Sequence, residues 1–467
     1  MLTYSFSQKG SLPMYDYLYR CIKNDILSNN LKSNEKLPSK RTLAKNLNIS
    51  VITVENAYAQ LLVEGYIYSI EKKGYYVSDI YKVNTDIISP NNKITEEKKE
   101  NLSINYFADF QTNTISHENF PFTSWSKTIR SILSKKRESL LNTSPINGVS
   151  ELRNEIARHL YHFRGMNISP EHIIIGAGTE YLYGLLIQLL GRENIFAVED
   201  PGYSKISKIY QSNLVKCRFI ELDKNGLSLS ALKKSDANII HISPSHHFPT
   251  GIVTPVKRRQ ELLKWAMISN RRYIIEDDYD CEFRFSGKPI PTIKSIDTDE
   301  KVIYINTFSK TLAPSFRISY MALPHRLMEK FNSELGFYSC TVSAIEQYTL
   351  AEFISSGFFE KHINRMRTFY RGVRNQIINE IKASSNYKKV KIEEENSGLH
   401  FLLNVKTKLT DKELIEKTKK KGIKISCLSK YYVKKENCRQ RTLIVNYSGI
   451  SKNKASEAAK RLMDCLD

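Results

Sequence analysis

Lys310 stands in the stretch YINTFSKTLAPSFRIS (304–319), with the hydroxyls of Thr307, Ser309 and Thr311 around it and Arg317 seven residues on. The apolar run KVIYI (301–305) before it reads as a buried strand, so the lysine falls just past a strand end. Two chemistries fit. One is a solvated lysine on a polar loop. The other is an amine that condenses with a carbonyl to a Schiff base, beside hydroxyls and a guanidinium that suit a phosphate. The stretch alone does not separate them.

Other strand ends carry matching parts. In EDDYD (276–280), Asp277 and Tyr279 are two apart and share one face, so a carboxylate and a phenol are presented together. Three acids in a row, Glu276 to Asp278, also fit a solvated turn or a magnesium site. GAGTEYL (176–182) ends a strand in glycines and opens a helix, which places the backbone N–H groups of Gly178, Thr179 and Glu180 where an anion binds. DPGYSK (200–205) sets Tyr203 past the run IFAVE, with a ring able to stack on a flat molecule. A lysine amine, an acid for a ring nitrogen, a phenol for a ring oxygen, an aromatic lid and a phosphate cup are together what pyridoxal 5'-phosphate requires. With the acids taken up by that cofactor, no metal ligand is expected.

The elements that must hold these residues are visible as alternating runs. HIIIGAG, IFAVED, CRFIEL, NIIHISPS, RYIIEDDYD and VIYINTFSK are short and apolar, each ends in polar or Gly/Pro residues, and most precede a helical pattern. That is an α/β domain with a largely parallel sheet, whose ligands collect beyond the carboxyl ends of the strands. It is expected over 106–467.

Residues 80–105, rich in Asn, Lys and Glu, read as a linker. Before it, over 1–79, lies a smaller domain. Tyr15, Leu18, Ile22 and Ile26 recur at helical spacing. Two short helices follow, the first capped by Ser39 with Leu43, Ala44 and Leu47 inward, the second capped by Ser50 with Val54, Ala57, Tyr58 and Leu61 inward. Asn48 and Ile49 make the turn between them. YIYSIEKKGYYVSD then alternates as a hairpin with the basic tip Glu71-Lys72-Lys73-Gly74. A winged helix-turn-helix matches this order, as does a three-helix protein-interaction module.

The net charge of +21 suits an anionic partner, although lysine-rich helix faces inflate it. Seven scattered cysteines without a C-x-x-C pair argue for free thiols in a reducing cytoplasm. MLTYSFSQKG lacks a signal pattern, and the apolar stretch 173–190 is broken by Gly176, Gly178 and Glu180, so no membrane role is expected.

LKSNEKLPSKRTLAKNLNISVITVENAYAQLLVEGYIYSIEKKGYYV (31–77) closely resembles GntR-type bacterial repressors. The resemblance implies that Ser39, Lys40 and Arg41 contact phosphates, that Thr53 and Asn56 point at base edges, and that Lys72 and Lys73 approach the minor groove. Many relatives carry arginine where Val51 stands. The order of motifs from about residue 105 onward, with SHHFPTG between the aromatic and the acid, resembles the class I aminotransferase fold (fold type I). HFPTG, EDDYDCEFRF and TFSKTLAPSFRISYMALP together look like the MocR/GabR-type transcription regulators.

That resemblance implies a DNA-binding regulator that uses pyridoxal phosphate, with Lys310 as its covalent attachment and Gly178, Thr179, Glu180, Tyr203, Asp277, Tyr279, Thr307, Ser309 and Arg317 around it. It also implies a head-to-tail homodimer on operator DNA, responding to the cofactor itself or to an amino-acid-like effector. Lys205 stands where relatives that recognise a carboxylate have arginine, and Lys430 is a further effector candidate. Phe248 replaces the asparagine, and Ile444 the arginine, of working aminotransferases. The alternative is an active aminotransferase with an appended DNA-binding domain.

Overall fold

The computed structural model describes residues 2–6, 9–80, 106–112, 119–285, 290–396, 398–436 and 438–466. The chain divides into two compact units, Met1–Ser103 and Ile104–Asp467. Apart from Ile80, the linker expected over 80–105 lies outside the described residues.

In the first unit, α1 (Met14–Leu27) buries Leu18, Ile22 and Ile26. Tyr15 departs from expectation at 43% exposed: the buried stripe begins only at Leu18. Helix α2 (Lys40–Leu47) starts where the Ser39 hydroxyl accepts the Thr42 N–H, and ends at Asn48, which adopts a left-handed φ of 54°. Helix α3 (Val51–Val63) is capped in the same way by Ser50 and buries Val54, Ala57, Tyr58 and Leu61. Those side chains meet Leu18, Ile22, Leu43 and Ala44 in one core. Each fully buried aliphatic side chain contributes about 1.5–3 kcal/mol there. Strands β1 (Ile67–Ile70) and β2 (Gly74–Val77) pair antiparallel, with Ile70 opposite Gly74 and Lys72 at the tip with φ 59°. Helix-turn-helix followed by hairpin is a winged helix.

The second unit holds β3 (Ala108–Asp109), β4 (Ile173–Ala177), β5 (Phe196–Asp200), β6 (Cys217–Asp223), β7 (Gly226–Leu227), β8 (Ile239–Ile242), β9 (Tyr273–Asp277), β10 (Val302–Thr307) and β11 (Ile318–Ala322). The main sheet runs β4-β11-β10-β9-β8-β5-β6-β7. Strands β10, β9, β8, β5 and β6 are successive parallel neighbours. Every residue of β5, β8 and β10 is buried, as helices on both faces require.

The run RISYMALP forms a strand that the α/β pattern did not single out. β11 lies antiparallel between β10 and β4, Thr307 facing Ser319 and Ile318 facing Ala177. It therefore begins at the sheet edge where β10 and β4 end. A second sheet near the C-terminus, also unforeseen, has the order β12 (Val390–Glu393), β13 (His400–Val405), β16 (Thr442–Asn446), β15 (Ser426–Cys427); β14 (Ile423–Lys424) pairs with β3.

Candidate functional sites

A cavity of about 300 Å³ opens at the carboxyl ends of the main sheet. Thr179, Glu180, Tyr203, Lys205, Asp277, Tyr279, Thr307, Ser309, Lys310 and Arg317 all line it. Topology brings them together. β4 leads into the helix Thr179–Leu190, β5 leads to Tyr203, and β9 ends on Asp277. β10 ends on Thr307, and the turn after it delivers Ser309 and Lys310 before the chain returns through Arg317 into β11.

Lys310 is half-buried, and withdrawal of its amine from water lowers its pKa to about 8, with Asp280 acting in the opposite sense. The Thr307 hydroxyl is tied into the turn: it donates to Ser309 Oγ (3.0 Å) and accepts from the Ser319 hydroxyl (2.8 Å). Gly178 begins the neighbouring helix with φ +92°, and a Cβ there would lie 2.3 Å from Arg317 Nη2. The guanidinium thus lies directly over the helix N-terminus, where N–H groups and dipole favour an anion. It sits 3.4 Å from Glu180 Oε2, and Lys205 pairs with the same carboxylate.

The three aspartates of EDDYD face different ways. Asp277 Oδ2 accepts the Tyr183 hydroxyl (2.6 Å) and lies 3.4 Å from His241 Nε2, while His241 Nδ1 meets the Tyr210 hydroxyl (2.6 Å). Oδ1 of Asp277 is buried without a hydrogen-bond partner. Asp278 turns away from the cavity and is held by the Arg164 guanidinium and by the Tyr304 hydroxyl (2.8 Å). Asp280 bonds His246 Nδ1 (2.8 Å), and the Tyr279 phenol lies 3.4 Å from the same nitrogen. Burial pushes the Tyr279 phenol well above its usual value. No group of three or more acidic, His or Cys side chains suited to a metal occurs among the described residues.

Sequence reasoning missed much of this wall. Glu199, whose carboxyl burial raises to about 8, lies 3.4 Å from His247, whose ring burial lowers to about 3. Burial disfavours the charged form of both groups. His241, Asp280, His400 and Asn446 also line the cavity. Only Tyr183 had a readable signal, one helical turn beyond Thr179 and so on the same face.

The effector side is corrected in one respect. Lys430 is exposed and does not line the cavity; its neighbour Tyr431 does, edge-on to Phe248 at 5.1 Å. The reason is the short turn Leu428–Tyr431, which directs the ring inward and the amine to water. Ile444 packs with Leu402, Leu428 and Phe248 in a small apolar cluster.

In the winged helix, Arg41, Asn56, Lys72 and Lys73 are exposed as expected. Three others are engaged within the domain. The Ser39 hydroxyl caps α2, and Lys40 Nζ pairs with Glu55 at 2.5 Å. Thr53 is not freely exposed: it is half-buried, with its hydroxyl 2.8 Å from Ser50 Oγ. The cap geometry of α3 turns it inward.

A winged helix joined to a fold type I α/β domain with a lysine at its strand-end cavity defines a regulator built on an aminotransferase scaffold. Residues 14–77 match the bacterial regulatory proteins of the gntR family, and residues 97–462 match aminotransferase class I and II. The chain is 39% identical to the uncharacterised HTH-type transcriptional regulator YdeL of Bacillus subtilis, covering 97% of this chain and 96% of that protein. It is 29% identical to the probable rhizopine catabolism regulatory protein MocR of Rhizobium meliloti (97% and 94% covered). The same identity, 29%, links it to the pyridoxine biosynthesis regulator PdxR of Corynebacterium glutamicum (86% and 85%). Among solved structures, the kynurenine aminotransferase of Pyrococcus horikoshii superposes with a TM-score of 0.67 at 22% identity, covering 78% of this chain and 91% of that one. The chain belongs to the MocR-type family of HTH-type transcriptional regulators, a gntR-type DNA-binding domain fused to a class I aminotransferase domain.

Proposed function

We propose that this regulator binds pyridoxal 5'-phosphate at the strand-end cavity and couples its occupancy to operator binding. The observation that carries the reading is Lys310: an amine in a cavity, with a pKa lowered to about 8, facing a buried carboxylate. The residues present fit the group. Asp277 offers its partnerless Oδ1 to a protonated ring nitrogen, and Tyr279 offers a phenol to the ring oxygen. Tyr203, half-exposed at the rim, covers a flat ring. The N–H groups at Gly178, Thr179 and Glu180, the hydroxyls of Thr307 and Ser309, and Arg317 form the phosphate cup, and a Cβ at position 178 would collide with the Arg317 guanidinium.

When bound, the group supplies a carbonyl that condenses with an amine. Lys310 contributes the amine, whose lowered pKa raises the share of the neutral, reactive form, and Asp277 fixes ring orientation by charge, held by Tyr183 and, through His241, by Tyr210. Turnover of an amino acid is not the role favoured here. Ile444 fills its site with apolar packing, and Lys205 is paired with Glu180, so neither position offers a guanidinium to an α-carboxylate. The effector is therefore the cofactor or an amine that binds through it.

The domain limits 1–79 and 106–467, a head-to-tail homodimer matching a two-fold operator, and a cytoplasmic location belong to the same proposal. Among the described residues no helix is long and apolar enough to cross a membrane. The test is borohydride reduction with pyridoxal phosphate, peptide mapping, and DNA binding with and without the cofactor. Attachment at Lys310 together with a cofactor-dependent change in DNA affinity is expected. Attachment elsewhere would refute the reading.

A further inference from the structure

The exposed stripe of α3 bears on which bases this regulator reads. Residues 51, 52, 55, 56, 59, 60 and 63 face solvent, and the helix VITVENAYAQLLV contains no lysine or arginine, in a chain with 70 of them. In a helix-turn-helix, base edges are met by the N-terminal part of the second helix. Here that part presents two adjacent β-branched side chains, Val51 at 43% and Ile52 at 68% exposed.

The polar groups nearby are mostly taken. Thr53 Oγ1 is bonded to Ser50, and Glu55 is bonded through Oε1 to Lys40. Asn56 is exposed, and among the described residues its amide has no partner. Guanine is read in the major groove by paired donors from arginine or lysine, and this stripe has neither. Apolar side chains instead contact the thymine C5-methyl, and an asparagine amide pairs with adenine N6 and N7.

We propose that α3 reads A·T pairs: Val51 and Ile52 pack on thymine methyl groups and Asn56 selects an adjacent adenine in each half-site. The inference rests on the DNA-binding role of the winged helix. It makes Ile52, the most exposed of the pair, the main specificity residue.

The test uses the full-length protein and a pool of randomised DNA duplexes. Selection is expected to enrich half-sites carrying thymines next to an adenine. Replacing those thymines by uracil removes only the methyl groups and is expected to weaken binding about fourfold per contacted methyl. In Ile52→Ala protein the uracil penalty at one position should vanish while the non-specific, salt-dependent component of binding is retained. Ile52 is a surface residue, so this variant folds, and Val51→Ala provides a second check. Enriched half-sites with G·C pairs at these positions, or no uracil penalty in the wild-type protein, would overturn the proposal and leave DNA binding intact. A pool without any enrichment, even at low salt, would overturn it together with the DNA-binding role.

Discussion

Replacing Asp277 by asparagine separates two adjacent acids that the fold puts to opposite uses. Asp277 faces the cavity with Oδ1 unpartnered, whereas Asp278 is buried against Arg164 and Tyr304. Asp277→Asn keeps an acceptor for the Tyr183 hydroxyl but removes the charge that would face a protonated ring nitrogen. A hydrogen bond to a charged group is worth roughly 1.5–3 kcal/mol, about a ten- to hundredfold loss of cofactor affinity. The cofactor-free variant should melt no lower than wild type, because a buried carboxylate with an unsatisfied oxygen has been neutralised. Asp278→Asn should behave in the opposite way. Breaking a buried ion pair from one side costs on the order of 3–5 kcal/mol, so Tm should fall by several degrees even without cofactor. Absorbance titration with pyridoxal phosphate and thermal melts with and without it provide the readout. Unchanged cofactor affinity in Asp277→Asn, with lost affinity and an unchanged Tm in Asp278→Asn, would refute the assignment.

Attachment of the cofactor should accelerate as pH rises through about 8, since the neutral amine reacts and burial has lowered the pKa of Lys310 from near 10.5; stopped-flow absorbance from pH 6 to 10 measures this, and a midpoint near 10.5 would contradict a buried amine. Gly178→Ala should displace Arg317 from the helix N-terminus and weaken binding of the cofactor more than of pyridoxal lacking the phosphate, as paired titrations would show. Arg41→Ala or Lys73→Ala should each lower the log–log salt slope of DNA binding by about 1 for specific and random DNA alike, measured by fluorescence anisotropy. Lys310→Ala protein should still bind operator but lose its response to pyridoxal phosphate, because a ligand shifts an equilibrium only through differential affinity for the two states. A gel shift over a range of cofactor concentrations reads this directly.

Local patterns were sufficient for much of the architecture. The apolar runs that became β4, β5, β8, β9 and β10 needed only their length and flanking polar residues to be recognised, because strands buried on both faces are apolar nearly throughout, whereas β6, with Ile220 alone buried, is the half-exposed exception. The helix-turn-helix was legible for a similar reason: Ser39, Asn48 and Ser50 act on their own backbone neighbours. Lys310, Asp277 and Tyr203 could be singled out because each ends such a run or follows it within three residues.

What needed the tertiary structure was every choice made by a distant residue. That Asp278 is held on the far side of the strand end by Arg164, 114 residues away, could not be read from EDDYD itself. The seating of Arg317 over Gly178 depends on β11 running antiparallel to β4, which brings positions 139 residues apart within contact. Tyr210 and His241 support Asp277 only because β8 lies beside β9, and Lys430 loses its place to Tyr431 through a single short turn. A sequence carries the local dihedral and periodic preferences of each residue. The partner that satisfies a buried charge is fixed only when non-local packing removes water from both groups and leaves each with one remaining donor or acceptor.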